Sequence, residues 1–187
     1  MKKITLSIIL YSLVAHINFA QFSATFFILS ADHAAVSGQL FVQDHLYRLD
    51  FNQGSEESII IVDTKEAMST ILIPAINMYI ENTLASDEIS NLDPFRLHDY
   101  YIGQSLANNS GYELIESYNC IVYKITDEDG NDLTEWFSED LNFPIKIEGN
   151  LNGGDFLMEL KEINESKPEP STFKVPDDYQ LMNSNYQ

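Results

Sequence analysis

"KITDEDGNDLTEWFSEDLNFPIKIEG", residues 124–149, crowds Asp127, Asp129, Asn131 and Asp132 around a single glycine, Gly130. Two folds compete for this stretch. A calcium loop of the helix–loop–helix kind places oxygen ligands at positions 1, 3 and 5, a glycine at 6 and a bidentate glutamate at 12. Counting from Asp127, the first three are filled by Asp127, Asp129 and Asn131, but position 6 is Asp132 and position 12 is Ser138. The flanks also carry the wrong period. Ile121, Tyr123 and Ile125 alternate as a strand does before the loop, and Trp136 follows it in a second strand-like run. Asp-Gly between two alternating runs is a hairpin signal. The stretch therefore predicts a bend between strands, and no metal site is expected.

Outward from that bend the same period recurs. Strands are predicted at 22–30, 38–43, 46–52, 58–63, 69–73 and 78–82, and again at 112–117, 120–126, 134–138, 144–149 and 156–164. Asp44-His45, "TKEA" and "PAIN" are the turns of the first group. The run 46–52 puts Tyr47, Leu49 and Phe51 on one face and Leu46, Arg48 and Asp50 on the other. "SIIIVD" (58–63) is apolar on both faces, as a strand covered from two sides would be. One segment breaks the pattern. Asp93 can cap a helix, Pro94 suits its first position and Gly103 can end it, which predicts a helix near 93–103 with Phe95, Leu97, Tyr100, Tyr101 and Ile102 on its apolar side. Beyond residue 164 the tail is Pro-rich and extended, with Phe173, Val175 and Tyr179 able to pin it to the body. The reading is a mainly β fold: a curved antiparallel sheet of ten to eleven short strands, half closed, with one helical lid segment.

Residues 1–20 stand apart. Lys2 and Lys3, the apolar run Ile4 to Val14 and the small Ala20 read as an export signal cleaved after Ala20, leaving a single domain over 21–187 with no transmembrane segment. Export places the mature protein in the periplasm or outside the cell. Losing the two lysines takes the formal charge of the 187-residue chain from −19 to −21, which disfavours nucleic acid and anionic membrane surfaces. Cys120, the one cysteine, lies in an apolar strand and suits a buried inert thiol.

Chemistry-bearing patterns are sparse. His33 and His45 fall in turns and His98 in the helix, with no nucleophile signature or zinc-ligand cluster beside them, so each reads as a surface or capping residue. No phosphate loop is present, and no cofactor or catalytic residue is expected. What stands out is apolar surplus: eleven Phe and ten Tyr, many on both faces of adjacent strands. Either a hollow takes up that surface or the side chains fill it.

The motif order resembles that of exported bacterial proteins in a domain family of unknown function related to the LolA/LolB-like fold. Trp136, Ser138, Asp140, Leu141 and Pro144 form a W-x-S-x-D-L-x-x-P run, and Phe173, Val175, Pro176 and Tyr179 an F-x-V-P-x-x-Y ending. The resemblance implies a half-open barrel around an apolar cavity that takes up acyl chains, with helices as lid and an arginine on a strand holding the lid; Arg48 is the candidate for that contact. Candidate cavity residues are Phe27, Leu29, Tyr47, Leu49, Ile60, Ile71, Tyr79, Phe95 and Tyr101. The leading expectation is a non-enzymatic exported protein that holds a lipid, acyl chain or other hydrophobic small molecule. Its rivals are an envelope interaction module with a filled core, recruiting a protein partner, and a hydrolase with unrecognised carboxylates.

Overall fold

The computed structural model describes residues 20–31, 33–54, 56–84, 95 and 97–182. Apart from Ala20, the expected export signal lies outside the described residues, as do Asp93 and Pro94. A first meander comprises β1 (Gln21–Ser30), β2 (His33–Gln43), β3 (Leu46–Gln53), β4 (Glu56–Asp63), β5 (Met68–Ile73) and β6 (Met78–Thr83). Helix α1 (Leu97–Gly103) follows. A second meander comprises β7 (Ala107–Ile115), β8 (Tyr118–Thr126), β9 (Asp132–Ser138), β10 (Phe143–Leu151) and β11 (Gly154–Asn164), and the tail adds β12 (Gln180–Leu181). All join one curved, open sheet in the order β12-β6-β5-β4-β3-β2-β1-β11-β10-β9-β8-β7. Every ladder is antiparallel except the two-residue pairing of β12 with β6. Among the described residues no helix is long and apolar enough to cross a membrane.

Residues paired across a ladder share a face, so register sorts the sheet into two surfaces. Ala24, Leu40, Leu49, Ile60, Ile71 and Ile80 form one row across β1 to β6, and Phe22, Val42, Tyr47, Val62 and Ser69 the next. These rows lie on the inner face, where Phe26, Ile145, Ile147, Met158 and Leu160 are all at most 1% exposed. Truncating any of them would cost roughly 2–5 kcal/mol in transfer and cavity terms. Arg48, Ile59, Ile61, Leu72 and Tyr79 occupy the outer face by the same register. There Ile59, Ile61 and Leu72 make a second buried cluster, covered by Phe173 and Tyr179 of the tail. The outer-face apolar surplus of β4 is thus covered by the tail.

The acidic turn is the bend between β8 and β9, and its Asp127 carboxylate is fully engaged. Asp127 Oδ1 accepts the N–H groups of Asp129 and Asn131, at 3.1 and 3.0 Å. Its Oδ2 accepts Asn131 Nδ2 at 2.8 Å and the Tyr101 hydroxyl at 3.1 Å. Asn131 Oδ1 in turn accepts the N–H of Asn152, in the β10–β11 turn, at 2.7 Å. This node ties α1 to two hairpin turns. Burial first, then the Asp127 charge and hydrogen bond, raise the Tyr101 phenol above its ordinary range. Burial works against the Asp127 carboxylate too, but the bonds from Asn131, Tyr101 and Asp129 outweigh it and hold the carboxyl below its usual value.

Helix α1 has seven residues, too few to stand alone in water. It ends at Gly103, as the sequence suggested, and Ser105 at φ 58° makes the left-handed turn beyond it. The N–H of Ser105 bonds to the Ile102 carbonyl and that of Leu106 to the Tyr101 carbonyl, a Schellman closure completed without glycine in the left-handed place.

Two outcomes follow. Gly149 sits at φ +142° in the β9–β10–β11 ladder, where an added Cβ would collide with the Asp132 carbonyl and Leu133 Cα; Gly130 (φ +85°) has nothing within 4 Å. Urea unfolding should show Gly149→Ala losing at least about 2 kcal/mol and Gly130→Ala about half that. Asp127→Asn should lose roughly 1–2 kcal/mol at pH 7 by breaking the node. Because the Asp127 carboxyl is depressed in the folded state, the stability it supplies is fully present above the unfolded value near about 3.9 and fades as pH falls through the folded one. The gap between wild type and variant should therefore narrow when the unfolding is repeated below about pH 3.5.

Candidate functional site

Helix α1 covers only part of the inner face. Phe95 meets Tyr47 of β3 edge-on at 5.9 Å and Phe143 of β10 at 5.2 Å. His98 stacks on Phe137 of β9 at 3.9 Å and 13° between planes, and its Nδ1 lies 2.8 Å from Glu135 Oε2. Tyr123 of β8 packs edge-on to His98 at 5.7 Å. Burial, and then the charges of Glu135 and Glu139, hold the Tyr123 phenol above its ordinary range. Tyr101 completes the set through the Asp127 node. These contacts place Phe95 against β3 and β10, and α1 over β8, β9 and the turn between them.

Toward β6 the inner face carries Ile60, Ile71, Ile73, Met78 and Ile80, all only partly buried. Ile60 packs against the edge of the main core, while Ile71, Ile73, Met78 and Ile80 belong to neither buried cluster. The result is an aliphatic strip across β4, β5 and β6, set directly beside a closed core.

A cleft of about 190 Å³ opens where the β2–β3 turn meets the start of α1 and the β9–β10 turn. Tyr47, Phe95, Phe137 and Phe143 supply rings to its wall, and Asp44, His45, His98 and Asp99 supply polar groups. His98 faces Glu135, which is 1% exposed and whose other oxygen, Oε1, has no partner among the described residues. A histidine oriented by a carboxylate is one part of a nucleophilic site. Among the described residues the only aliphatic hydroxyl lining the cleft, that of Thr64, donates to the His45 carbonyl at 3.1 Å. Cys120 is buried and free, and burial pushes its thiol up to about 11. Among the described residues no cluster of His, Cys, Asp or Glu suits a metal ion.

Of the nine residues proposed from the sequence, Tyr47, Leu49, Ile60, Ile71, Phe95 and Tyr101 lie on the inner side, and only Tyr47 and Phe95 line the cleft. Leu49 and Tyr101 are closed inside the core, at 1% and 0% exposure. Phe27, Leu29 and Tyr79 lie on the outer face, because their immediate neighbours Phe26, Ile28 and Ile80 are turned inward. Leu29 is exposed there, and Tyr79 packs on the cluster beneath the tail. Arg48 is not a lid contact. Standing between the inward Tyr47 and Leu49, its guanidinium holds Asp50 at 2.5 and 2.9 Å and donates to the Thr172 carbonyl at 2.8 Å, so it fastens the tail. Sequence reasoning passed over Met78 and Ile80, which share the parity of Ile71, and read His45 and His98 as surface or capping residues.

The W-x-S-x-D-L-x-x-P run proves architectural. Trp136 donates to Glu113 Oε2 at 2.8 Å with the Lys146 ammonium 4.6 Å above its ring, and Ser138 Oγ accepts the Leu141 N–H at 3.2 Å. Pro144, which has no N–H to give, stands where the β9–β10 register shifts.

No family model and no curated protein matches the chain. Its fold does occur among solved structures. An uncharacterized conserved protein from Thermus thermophilus superposes with a TM-score of 0.59 at 8% identity, over 87% of this chain and 90% of its own. A chain of the Pseudomonas aeruginosa MucA/MucB complex superposes at 0.54 and 15% identity over 87% of this chain, which spans only 58% of that one. A LolA superfamily protein from Nitrosomonas europaea reaches a TM-score of 0.39 at 11% identity over 83% of this chain and 89% of its own, too loose to carry an argument. What the closer superpositions share with this chain is the fold, a curved open sheet of the half-open-barrel kind.

Proposed function

We propose that this is an exported, non-enzymatic binding protein of the cell envelope that holds an acyl chain or similar apolar ligand along the inner strip of β4 to β6. The observation that carries the reading is the contrast along one face. The inner surface is closed under α1, yet Ile60, Ile71, Ile73, Met78 and Ile80 beside it stay partly exposed. Contiguous aliphatic surface of that kind is costly in water and commonly marks a binding site. The cleft, at about 190 Å³, is smaller than the roughly 300–1,000 Å³ of enclosed ligand pockets. A chain-like ligand lying in an open trough fits this geometry better than a compact one swallowed by a lumen. Full burial of a methylene is worth about 0.8 kcal/mol; half burial on such a strip gives about 0.4, or roughly twofold in affinity per CH₂.

A second reading, docking of an envelope protein, draws on the opposite edge. Among the described residues β7 has no neighbour beyond β8, and its Tyr112 and Leu114 are 58% and 73% exposed. A partner strand could pair with that edge.

Fluorescence titration with the neutral dye N-phenyl-1-naphthylamine tests the first reading. Saturable enhancement, competed by fatty acids with affinity rising about twofold per CH₂, is the expected result. Ile71→Glu should weaken it at least about tenfold, while Leu29→Glu on the outer face should leave it unchanged. Absence of competition by any chain length, or equal binding by both variants, would remove the strip from the function.

A further inference from the structure

We propose that the cleft beside α1 binds a small organic cation, the head of a primary or quaternary ammonium compound. Cations are drawn to the faces of aromatic rings, and the attraction grows as water is displaced. Tyr47, Phe95 and Phe143 form a connected set of rings lining the cleft, at 5.9 and 5.2 Å between neighbours, and Phe137, stacked on His98, also lines it. Asp44 and Asp99 are the two acidic residues among its lining.

The charge around the cleft is one-sided. No Lys or Arg is among the described residues lining it. The two histidines that do line it each face an acid: His98 meets Glu135 at 2.8 Å, and His45 Nε2 lies 3.8 Å from Asp63 Oδ1. An anionic head would find no Lys or Arg among the described lining residues. A purely apolar group would cover the rings but strip water from the acids without replacing it. A tetramethylammonium-sized cation answers both halves of the lining, and a space of about 190 Å³ accommodates it.

The cleft and the strip adjoin. Tyr47 pairs with Val62, one inner row along from Leu49, Ile60, Ile71 and Ile80; two residues of rise, about 7 Å, separate the rows. A free ammonium compound and the ammonium head of a long-chain amphiphile share the chemistry the cleft recognises, and only the second would also reach the strip. The cation site stands on its own lining, so it does not require the strip to be occupied.

Calorimetry and ring-proton NMR on the full chain separate these outcomes with three probes: tetramethylammonium, decyltrimethylammonium below its micelle concentration, and the neutral isostere 3,3-dimethyl-1-butanol. The cleft should bind tetramethylammonium about tenfold more tightly than the isostere, with shifts at Tyr47 and Phe95. The double variant Asp44→Asn and Asp99→Asn should cut that affinity at least about fivefold, its fold checked by circular dichroism. Asn tolerates the left-handed backbone of Asp44 (φ 58°), and Asp99 is exposed, so both changes leave packing intact. Equal affinity for the neutral isostere, or no response to the double variant, overturns the cation site. A preference for ammonium that persists while the decyl chain brings no gain supports the cleft and counts against the strip.

Discussion

Helix α1 cannot hold itself together, so everything about the inner face depends on what pins it there. Seven residues close too few backbone bonds to offset their own ordering. The pins are polar and lie at successive turns: His98 on Glu135, then Tyr101 on the Asp127–Asn131 node. Apolar packing alone would let so short a helix slide across a flat aliphatic surface. Directional bonds to β9 and to the β8–β9 turn fix its position over β8 and β9.

That arrangement also explains how one sheet accommodates so many large apolar residues. On the inner face of the second meander they meet α1 and one another. On the outer face of β4 and β5 they meet the tail, which Arg48 holds by the Thr172 carbonyl and which Phe173 and Tyr179 press onto Ile59, Ile61 and Leu72. β12 then pairs with β6 and caps one edge of the sheet. The tail thus performs two tasks with one strap: it buries surface, and it satisfies edge groups that would otherwise invite another strand. β7 at the far edge has no such cover among the described residues, though its bulge between Asn109 and Tyr112 roughens the ladder it offers.

Much of this was legible in the sequence, and the failures have distinct physical causes. Alternation in "LYRLDFN" fixes Tyr47, Leu49 and Phe51 on one face, and the structure keeps them there. The same alternation already excluded Arg48 from that face; assigning it to the lid let a family analogy override strand parity. Phe27, Leu29 and Tyr79 failed differently. "TFFILS" and "NMYIEN" are apolar at consecutive positions, so pattern alone cannot say which parity faces in, and register with a neighbouring strand decides it. The calcium question was answerable because its ligand geometry is strict. The cleft was not, since Asp44, His45, His98, Phe137 and Phe143 come from three separate stretches that only the folded sheet brings together. Ser105 as the left-handed turn beyond Gly103 was not legible either: the hydrogen bonds back to Tyr101 and Ile102 sustain a conformation that glycine would adopt without them.

A filled centre beside a half-covered strip constrains how any apolar ligand is held. In a closed lumen a chain loses nearly all its contact with water and leaves slowly. On an open strip it keeps one side wet, so affinity grows only about half as fast with length and exchange is correspondingly quick. The exposed side of such a ligand is itself apolar surface, and a second body that covered it would gain as much again. The strong negative charge of the chain, −19 over 187 residues, sets the sign of what can approach: basic surfaces are steered in and anionic ones kept at a distance. A trough with one wall missing, on a strongly acidic body, is physically suited to passing a ligand on, because the last step of release needs no lid to open.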